Sequence, residues 1–354
     1  MSRFNALTVS DIRRETPQAV SIAFRVPADL SGDYRFEHGQ YLTLRRDIGG
    51  QDVRRSYSIC TGTEDGELRI AVKEVEGGLF STFVNRDLAV GDTLEVMTPM
   101  GRFTAPIEPE AAKTYVGIAA GSGITPLMSI IRTVLQREPK SQFVLLYGNR
   151  TANSVIFKTE LEDLKDRFLS RLTVYHVLSR EAQDVDLLHG RLEGTRISRL
   201  VRSALGDEAI DHAFICGPEA MTESARQALV NLGVQAERIH TELFTTTTPA
   251  RPRPSVAPKA GDEIALTVTF DGATHALTIG PDETVIDAAA RQGVDLPYSC
   301  KGGMCCTCRA KLTEGEVKMD HQFSLEPWEL EAGYVLTCQS RPVKGPVALD
   351  YDHA

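Results

Sequence analysis

Four cysteines constrain this chain more than any other feature. Cys300, Cys305 and Cys308 stand at x4 and x2 spacing, and Cys338 lies far beyond them. This is the spacing that wraps a [2Fe–2S] cluster. Two irons bridged by sulfide need four thiolates, and one loop can offer three of them. Ser299, Gly302 and Gly303 let the backbone come close and aim N–H groups at the sulfurs, which tunes the potential. Cys306 spoils the spacing if it replaces Cys305, so it reads as a spare thiol. The alternative is a structural zinc site. Zinc modules usually present two short cysteine pairs, whereas Cys338 stands alone. The spacing favours the cluster.

Seven cysteines, an odd number with four of them inside nine residues of a 354-residue chain, do not look like a disulfide scaffold. Metal ligands in a reducing compartment fit better, and the expectation is a cytoplasmic protein. The opening MSRFNALTVSDI has no apolar segment of the secretory kind. The uncharged run from Thr114 to Ile131 just reaches membrane-spanning length, but it contains Gly117, Gly121, Ser122, Gly123 and Pro126. A buried strand–loop–helix unit explains it better, so no membrane partner is expected. A net charge of −9 argues against nucleic acid as the main partner.

Length gives a prior of two to three domains. Thr245 to Pro258, TTTTPARPRPSVAP, cannot form a regular helix or central strand and reads as a linker. Up to about residue 108, short alternating runs such as TLRRD, RSYSIC, ELRIAVKEV and DTLEVMTP predict a small antiparallel barrel or sandwich. Thereafter TYVGIAA, FVLLYGN and HAFICGP alternate with helical patterns, which predicts a parallel sheet covered on both faces. Past the linker, EIALTVTF and THALTIG flank Asp271-Gly272 as a hairpin. A short helix over 284–292 follows, with Thr284 as its cap and Gly293 as its stop.

Gly121-Ser122-Gly123-Ile124-Thr125-Pro126 follows one of these strands and opens a helix, the setting in which a backbone approaches a pyrophosphate. Pro126 replaces the third glycine of the usual pattern, and proline suits a helix's first turn. Cys216-Gly217-Pro218 ends another strand of the same sheet, where open α/β sheets bind ligands. Its bland reading is a buried cysteine and a turn.

Arg55-Ser56-Tyr57-Ser58, Gly77-Gly78-Leu79-Phe80-Ser81, the Gly121–Pro126 loop and Cys216-Gly217-Pro218 occur in the order of ferredoxin–NADP reductase-type flavoproteins, which the chain resembles. With its appended ferredoxin module it is similar to the reductase components of multicomponent oxygenases. GNRTANSVIF and KGGMCCTC bring it nearest to the reductases of phenylacetyl-CoA epoxidases. Reductases of Rieske-type hydroxylases, such as 3-ketosteroid 9α-hydroxylase, are the alternative.

The resemblance implies a multidomain chain: an antiparallel β-barrel flavin domain (1–108), an α/β parallel-sheet nicotinamide domain (109–246), a linker (247–262) and an α+β β-grasp ferredoxin domain (263–354). It implies FAD at Arg55, Ser56, Tyr57, Ser58, Lys73, Gly78, Phe80, Ser81 and Phe244. It implies a nicotinamide cofactor at Gly121, Gly123, Thr125, Pro126, Arg150, Ser179, Arg180, Cys216, Gly217 and Pro218. Ser58 and Cys216 would be the catalytic pair, and Cys300, Cys305, Cys308 and Cys338 the iron ligands. The bland readings are a barrel strand for 55–58, a hairpin turn for 77–78 and a core aromatic for Phe244. Ser179-Arg180 resembles a grip on a 2′-phosphate, which favours NADPH with NADH as the alternative; a solvated loop arginine is the plain reading. The implied activity is electron transfer from NAD(P)H through FAD and a [2Fe–2S] cluster to an oxygenase component, a diiron epoxidase first.

Overall fold

The structure is a computed structural model that describes residues 4–245, 254–259 and 261–353. Most of the proline-rich linker signal therefore lies outside the described residues. Its end, 254–259, is without helix or strand.

Six strands form the first sheet: β1 (Phe4–Thr16), β2 (Ala19–Arg25), β3 (Tyr41–Ile48), β4 (Gln51–Ser58), β5 (Leu68–Lys73) and β6 (Thr93–Met97), in the order β4-β3-β6-β1-β2-β5. The two edges meet. Ile59 bridges Ile70, and the Cys60 N–H donates to the Arg69 carbonyl at 2.9 Å, which closes the sheet into a barrel. Leu7, Ile22, Leu42, Leu44, Ile70 and Val96 fill it. One helix, α1 (Leu79–Arg86), follows β5 and places Phe80 and Val84 against the barrel core.

The second sheet is parallel: β7 (Thr114–Ala120), β8 (Gln142–Asn149), β9 (Leu172–Leu178), β10 (His212–Pro218) and β11 (Ile239–Thr245), in the order β11-β10-β7-β8-β9. Strand β7 alternates between two cores, as a strand covered on both faces must. Tyr115 and Ala119 join the core of α2 (Ile124–Arg137) and α3 (Lys158–Arg167). Val116 and Ile118 join that of α4 (Gly194–Leu205) and α5 (Glu219–Asn231). Barrel residues Cys60, Ala71 and Phe103 share the first of these cores, and Phe103 meets Phe214 edge-on at 5.3 Å.

The third sheet lies in a separate compact unit. It comprises β12 (Ile264–Phe270), β13 (Ala273–Ile279), β14 (Arg309–Met319), β15 (Tyr334–Leu336) and β16 (Ser340–Asp350), ordered β13-β12-β16-β14-β15. Asp271 and Gly272 both take positive φ, the geometry of a two-residue hairpin turn. Thr284 accepts from the Asp287 N–H to cap α6 (Val285–Arg291), and Gly293 follows in the left-handed region. The sheet grips α6 through Val285, Ile286 and Ala289, a β-grasp. A short α7 (Pro327–Glu331) precedes β15. Among the described residues no helix is long and apolar enough to cross a membrane.

Candidate functional site

Two loops touch at the carboxyl edge of the parallel sheet. Gly121–Gly123 turns between β7 and α2, and Cys216-Gly217-Pro218 ends β10. A Cβ on Gly123 would lie 2.1 Å from the Cys216 carbonyl oxygen, so only glycine fits. Thr125 donates to the Ser122 carbonyl at 3.0 Å, and the Tyr147 hydroxyl to that of Gly121 at 3.0 Å. Pro126 sits in the first turn of α2. The result is a bare backbone surface at a helix start, which suits a dinucleotide's phosphates.

Cations border this surface. Lys73 ends β5, its Nζ 3.6 Å from where a Gly121 Cβ would stand. Burial lowers its pKa, and the Arg150 guanidinium adds to the effect. The turns after β8 and β9 lie side by side: Ser179 N–H donates to Asn149 O at 2.9 Å, and Arg180 N–H to Arg150 O at 2.8 Å. Arg150 and Arg180 are both exposed there. Glu181 instead accepts from the Ala152 N–H at 2.8 Å.

The barrel contributes Ser58, the last residue of β4. Its hydroxyl donates to Glu242 Oε2 at 3.4 Å, and Glu242 is the register partner of Cys216. Burial pushes Glu242 up to about 8, against the opposing hydrogen bond from Ser58. Burial, and then the charge of Glu242, push the Cys216 thiol well above its usual range. Ser58 and Cys216 are thus linked through Glu242, beside the Gly121–Gly123 loop.

The remaining barrel positions divide. Tyr57 is half-buried, its ring 5.9 Å from that of the buried Phe80. Gly78 opens α1, where a Cβ would lie 2.5 Å from Ser81 Oγ. Ser81 accepts from the Val75 N–H at 3.1 Å and donates to the Gly78 carbonyl at 3.2 Å, so its hydroxyl shapes the turn. The side-chain-free opening of α1 offers first-turn N–H groups to an anion such as the flavin pyrophosphate. Arg55 is exposed and donates to the Arg54 carbonyl at 2.7 Å, while Ser56 is half-buried. Phe244 is half-buried against the core of α2.

In the third sheet's unit the cysteines form two pairs. Cys305 is hydrogen-bonded to Cys300, and Cys308 to Cys338. The contact with Cys305 holds the Cys300 thiol below the usual thiol range, helped by backbone N–H groups. Cys308 likewise holds Cys338 below the usual thiol value. Positive φ at Lys301 and Gly303 curls the loop, and the N–H groups of Gly302 and Met304 point at Cys300 Sγ, at 3.3 and 3.4 Å. Cys306 turns away, and its thiol donates to Ser324 Oγ at 3.0 Å. Ser299, just before the first cysteine, keeps a buried hydroxyl without a hydrogen-bond partner. Among the described residues no three His, Cys, Asp or Glu side chains converge as ligands of one ion. Two thiol pairs, inward N–H groups and an orphaned hydroxyl fit a two-iron centre with bridging sulfides.

Sequence reasoning missed Glu242. A polar residue alternating with apolar ones in a strand reads as solvent-facing, and its partner Ser58 is distant in sequence. It also missed Gln339, whose amide lies 3.6 Å from Cys338 Sγ.

The chain matches the oxidoreductase FAD-binding domain family over residues 7–105, the oxidoreductase NAD-binding domain family over 118–227 and the 2Fe-2S iron-sulfur cluster binding domain family over 268–343. It is 46% identical to the E-type component of the 1,2-phenylacetyl-CoA epoxidase of Escherichia coli (strain K12), covering 99% of both chains. It is 34% identical to the ferredoxin reductase component of 3-ketosteroid-9-alpha-monooxygenase of Rhodococcus rhodochrous, covering 94% of this chain and 93% of that one. Its fold is that of phthalate dioxygenase reductase, with a TM-score of 0.61 at 23% identity and 98% coverage of both chains.

Proposed function

Because the chain belongs to the family of FAD- and [2Fe–2S]-containing reductase components of oxygenases, we propose that it supplies electrons from NAD(P)H to a phenylacetyl-CoA 1,2-epoxidase in aerobic phenylacetate catabolism. The partner is then an oxygenase component of diiron chemistry. The 46% identity to the epoxidase component, against 34% to the ketosteroid monooxygenase component, favours this partner over a hydroxylase of the second kind.

The chain is an oxidoreductase with FAD, a pyridine nucleotide and a [2Fe–2S] cluster as its cofactors. When bound, flavin and cluster supply the conversion of two-electron nicotinamide chemistry into single-electron delivery. The observation that carries the reading is the meeting of Ser58, Glu242 and Cys216 beside the Gly121–Gly123 loop. In our assignment the loop and Gly217 seat the nicotinamide dinucleotide, with Arg150 toward its phosphates; Lys73, which the sequence resemblance gives to FAD, stands beside this loop and is reassigned to the same phosphates. Arg180 and Ser179 grip a 2′-phosphate, which favours NADPH. Tyr57, Phe244 and the opening of α1 hold the flavin. Ser58 and Cys216 line the place where nicotinamide and flavin approach, with Glu242 holding a proton beside Ser58. Cys300 with Cys305, and Cys308 with Cys338, each take one iron.

The test is composition. Purified aerobically, the chain should carry about one FAD and one two-iron cluster, with matching acid-labile sulfide. Stoichiometric zinc without sulfide would overturn the metal assignment and leave a zinc-stabilised interaction module in its place.

A further inference from the structure

Gln339 directly follows the distant cysteine and takes no part in the flavin or nucleotide site. It is 4% exposed. Its N–H donates to the Leu336 carbonyl at 2.8 Å and its carbonyl accepts from the Asp320 N–H at 2.9 Å, so the side chain leaves a pinned backbone. The amide nitrogen then faces three acceptors: the Lys301 carbonyl at 2.8 Å, the Cys338 carbonyl at 3.0 Å and Cys338 Sγ at 3.6 Å. That set fixes which end of the amide points inward. Reversed, its oxygen would confront two carbonyl oxygens and a sulfur, with no donor among them. Two N–H bonds serve three acceptors, one reaching Lys301 and the other shared between the carbonyl and the sulfur of Cys338.

We propose that Gln339 is a positioning residue of the metal centre, tying the Cys338 segment to the Cys300 loop and aiming an N–H at the Cys338 sulfur so as to raise the centre's reduction potential. The inference rests on the assignment of Cys338 as an iron ligand. Lys301 is the neighbour of Cys300, so one buried amide spans the first and fourth cysteines, which are far apart in sequence. Reduction adds negative charge that spreads onto the thiolates, and a donor at a thiolate stabilises the reduced form. Thr337 offers a contrast. Its hydroxyl donates to the Cys308 carbonyl at 2.8 Å and not to a sulfur, with Tyr351 against it at 2.6 Å. It braces the same segment without acting on a ligand atom.

The experiment is a redox titration of the cluster, followed by electron paramagnetic resonance, in the full-length holoprotein. Wild type is compared with Gln339→Leu and Gln339→Glu, and iron and sulfide are counted in each. Both variants should titrate at lower potential than wild type. The Glu variant should lie lower, because a carboxylate sets a like charge beside the thiolate. A Leu variant with full iron and sulfide and the wild-type potential would overturn the proposal. If neither variant assembles a cluster, the wild-type protein decides. Grown with side-chain ¹⁵N-glutamine and reduced, it should show a ¹⁵N coupling to the cluster spin, and absence of that coupling overturns the proposal equally. Cys338→Ser separates the two ideas. An unaltered cluster there would remove Cys338 as ligand, whereas an unaltered potential in Gln339→Leu removes only the role of Gln339.

Discussion

Glu242 holds a proton near neutral pH because burial pushes it up to about 8. The native chain therefore keeps a proton that the unfolded chain has released above the ordinary carboxylate value of 4.5. Stability contributed by this group falls as pH rises from about 4.5 to about 8. Glu242→Gln should flatten that part of the profile, read as the melting temperature at several pH values. An unchanged slope would place the titration elsewhere. Arg180 makes a separate prediction. Arg180→Gln should raise the KM for NADPH roughly tenfold or more, the effect of losing a charge-assisted contact, and leave NADH nearly unchanged. Equal losses would remove Arg180 from the 2′-phosphate. At this scale the sequence discloses residues whose chemistry is local. The cysteine spacing and the Gly121–Gly123 turn act through neighbours in the chain. Glu242 gains its role from Ser58, brought by folding, and the amide of Gln339 is fixed beside its neighbour Cys338 only when folding brings up the Lys301 carbonyl, so no local pattern marks either.

Elements were legible where short-range signals specify them. Asp271-Gly272 demands a tight hairpin, and Thr284 and Gly293 bound α6 from its two ends. The apolar runs of β7, β8 and β10 announce strands buried on both faces. Strand β1 carries no clean alternation, because its pairing with β2 shifts register at Val9/Asp11 and Arg14/Thr16, which breaks the period-two pattern. Helix α1 is short, and its double glycine reads equally well as a turn. The junction of β7, its glycine loop and β10 is open to disruption by a single change. Gly123→Ala forces a Cβ to within 2.1 Å of the Cys216 carbonyl. We expect a loss of about 1–3 kcal/mol and a pyridine-nucleotide affinity lowered at least about tenfold. Flavin content should hold, because the barrel has its own core. Thermal unfolding and NAD(P)H titration of the flavin-loaded protein check this, and wild-type affinity would contradict the tight contact.

In the whole molecule, three sheets correspond to three tasks: holding the flavin, seating the nucleotide and carrying the cluster. The break in composition at Thr245–Pro258 points to a division there, because a run of threonines and prolines favours neither helix nor central strand, although Thr245 itself closes β11. We place the boundaries at 108, 246 and 262, so that removing the last segment takes away the cluster and spares the nucleotide and flavin residues. We propose that electrons leave through the cluster. The most direct measurement of this is reconstituted turnover of phenylacetyl-CoA with a purified epoxidase oxygenase component, the intact chain and Cys338→Ser run side by side, with ferricyanide reduction by NAD(P)H recorded for each. We predict that the intact chain supports both reactions, while Cys338→Ser keeps ferricyanide reduction and loses oxygenation. Oxygenation at the intact rate by the cluster-deficient variant would contradict the account, because the flavin would then be the exit.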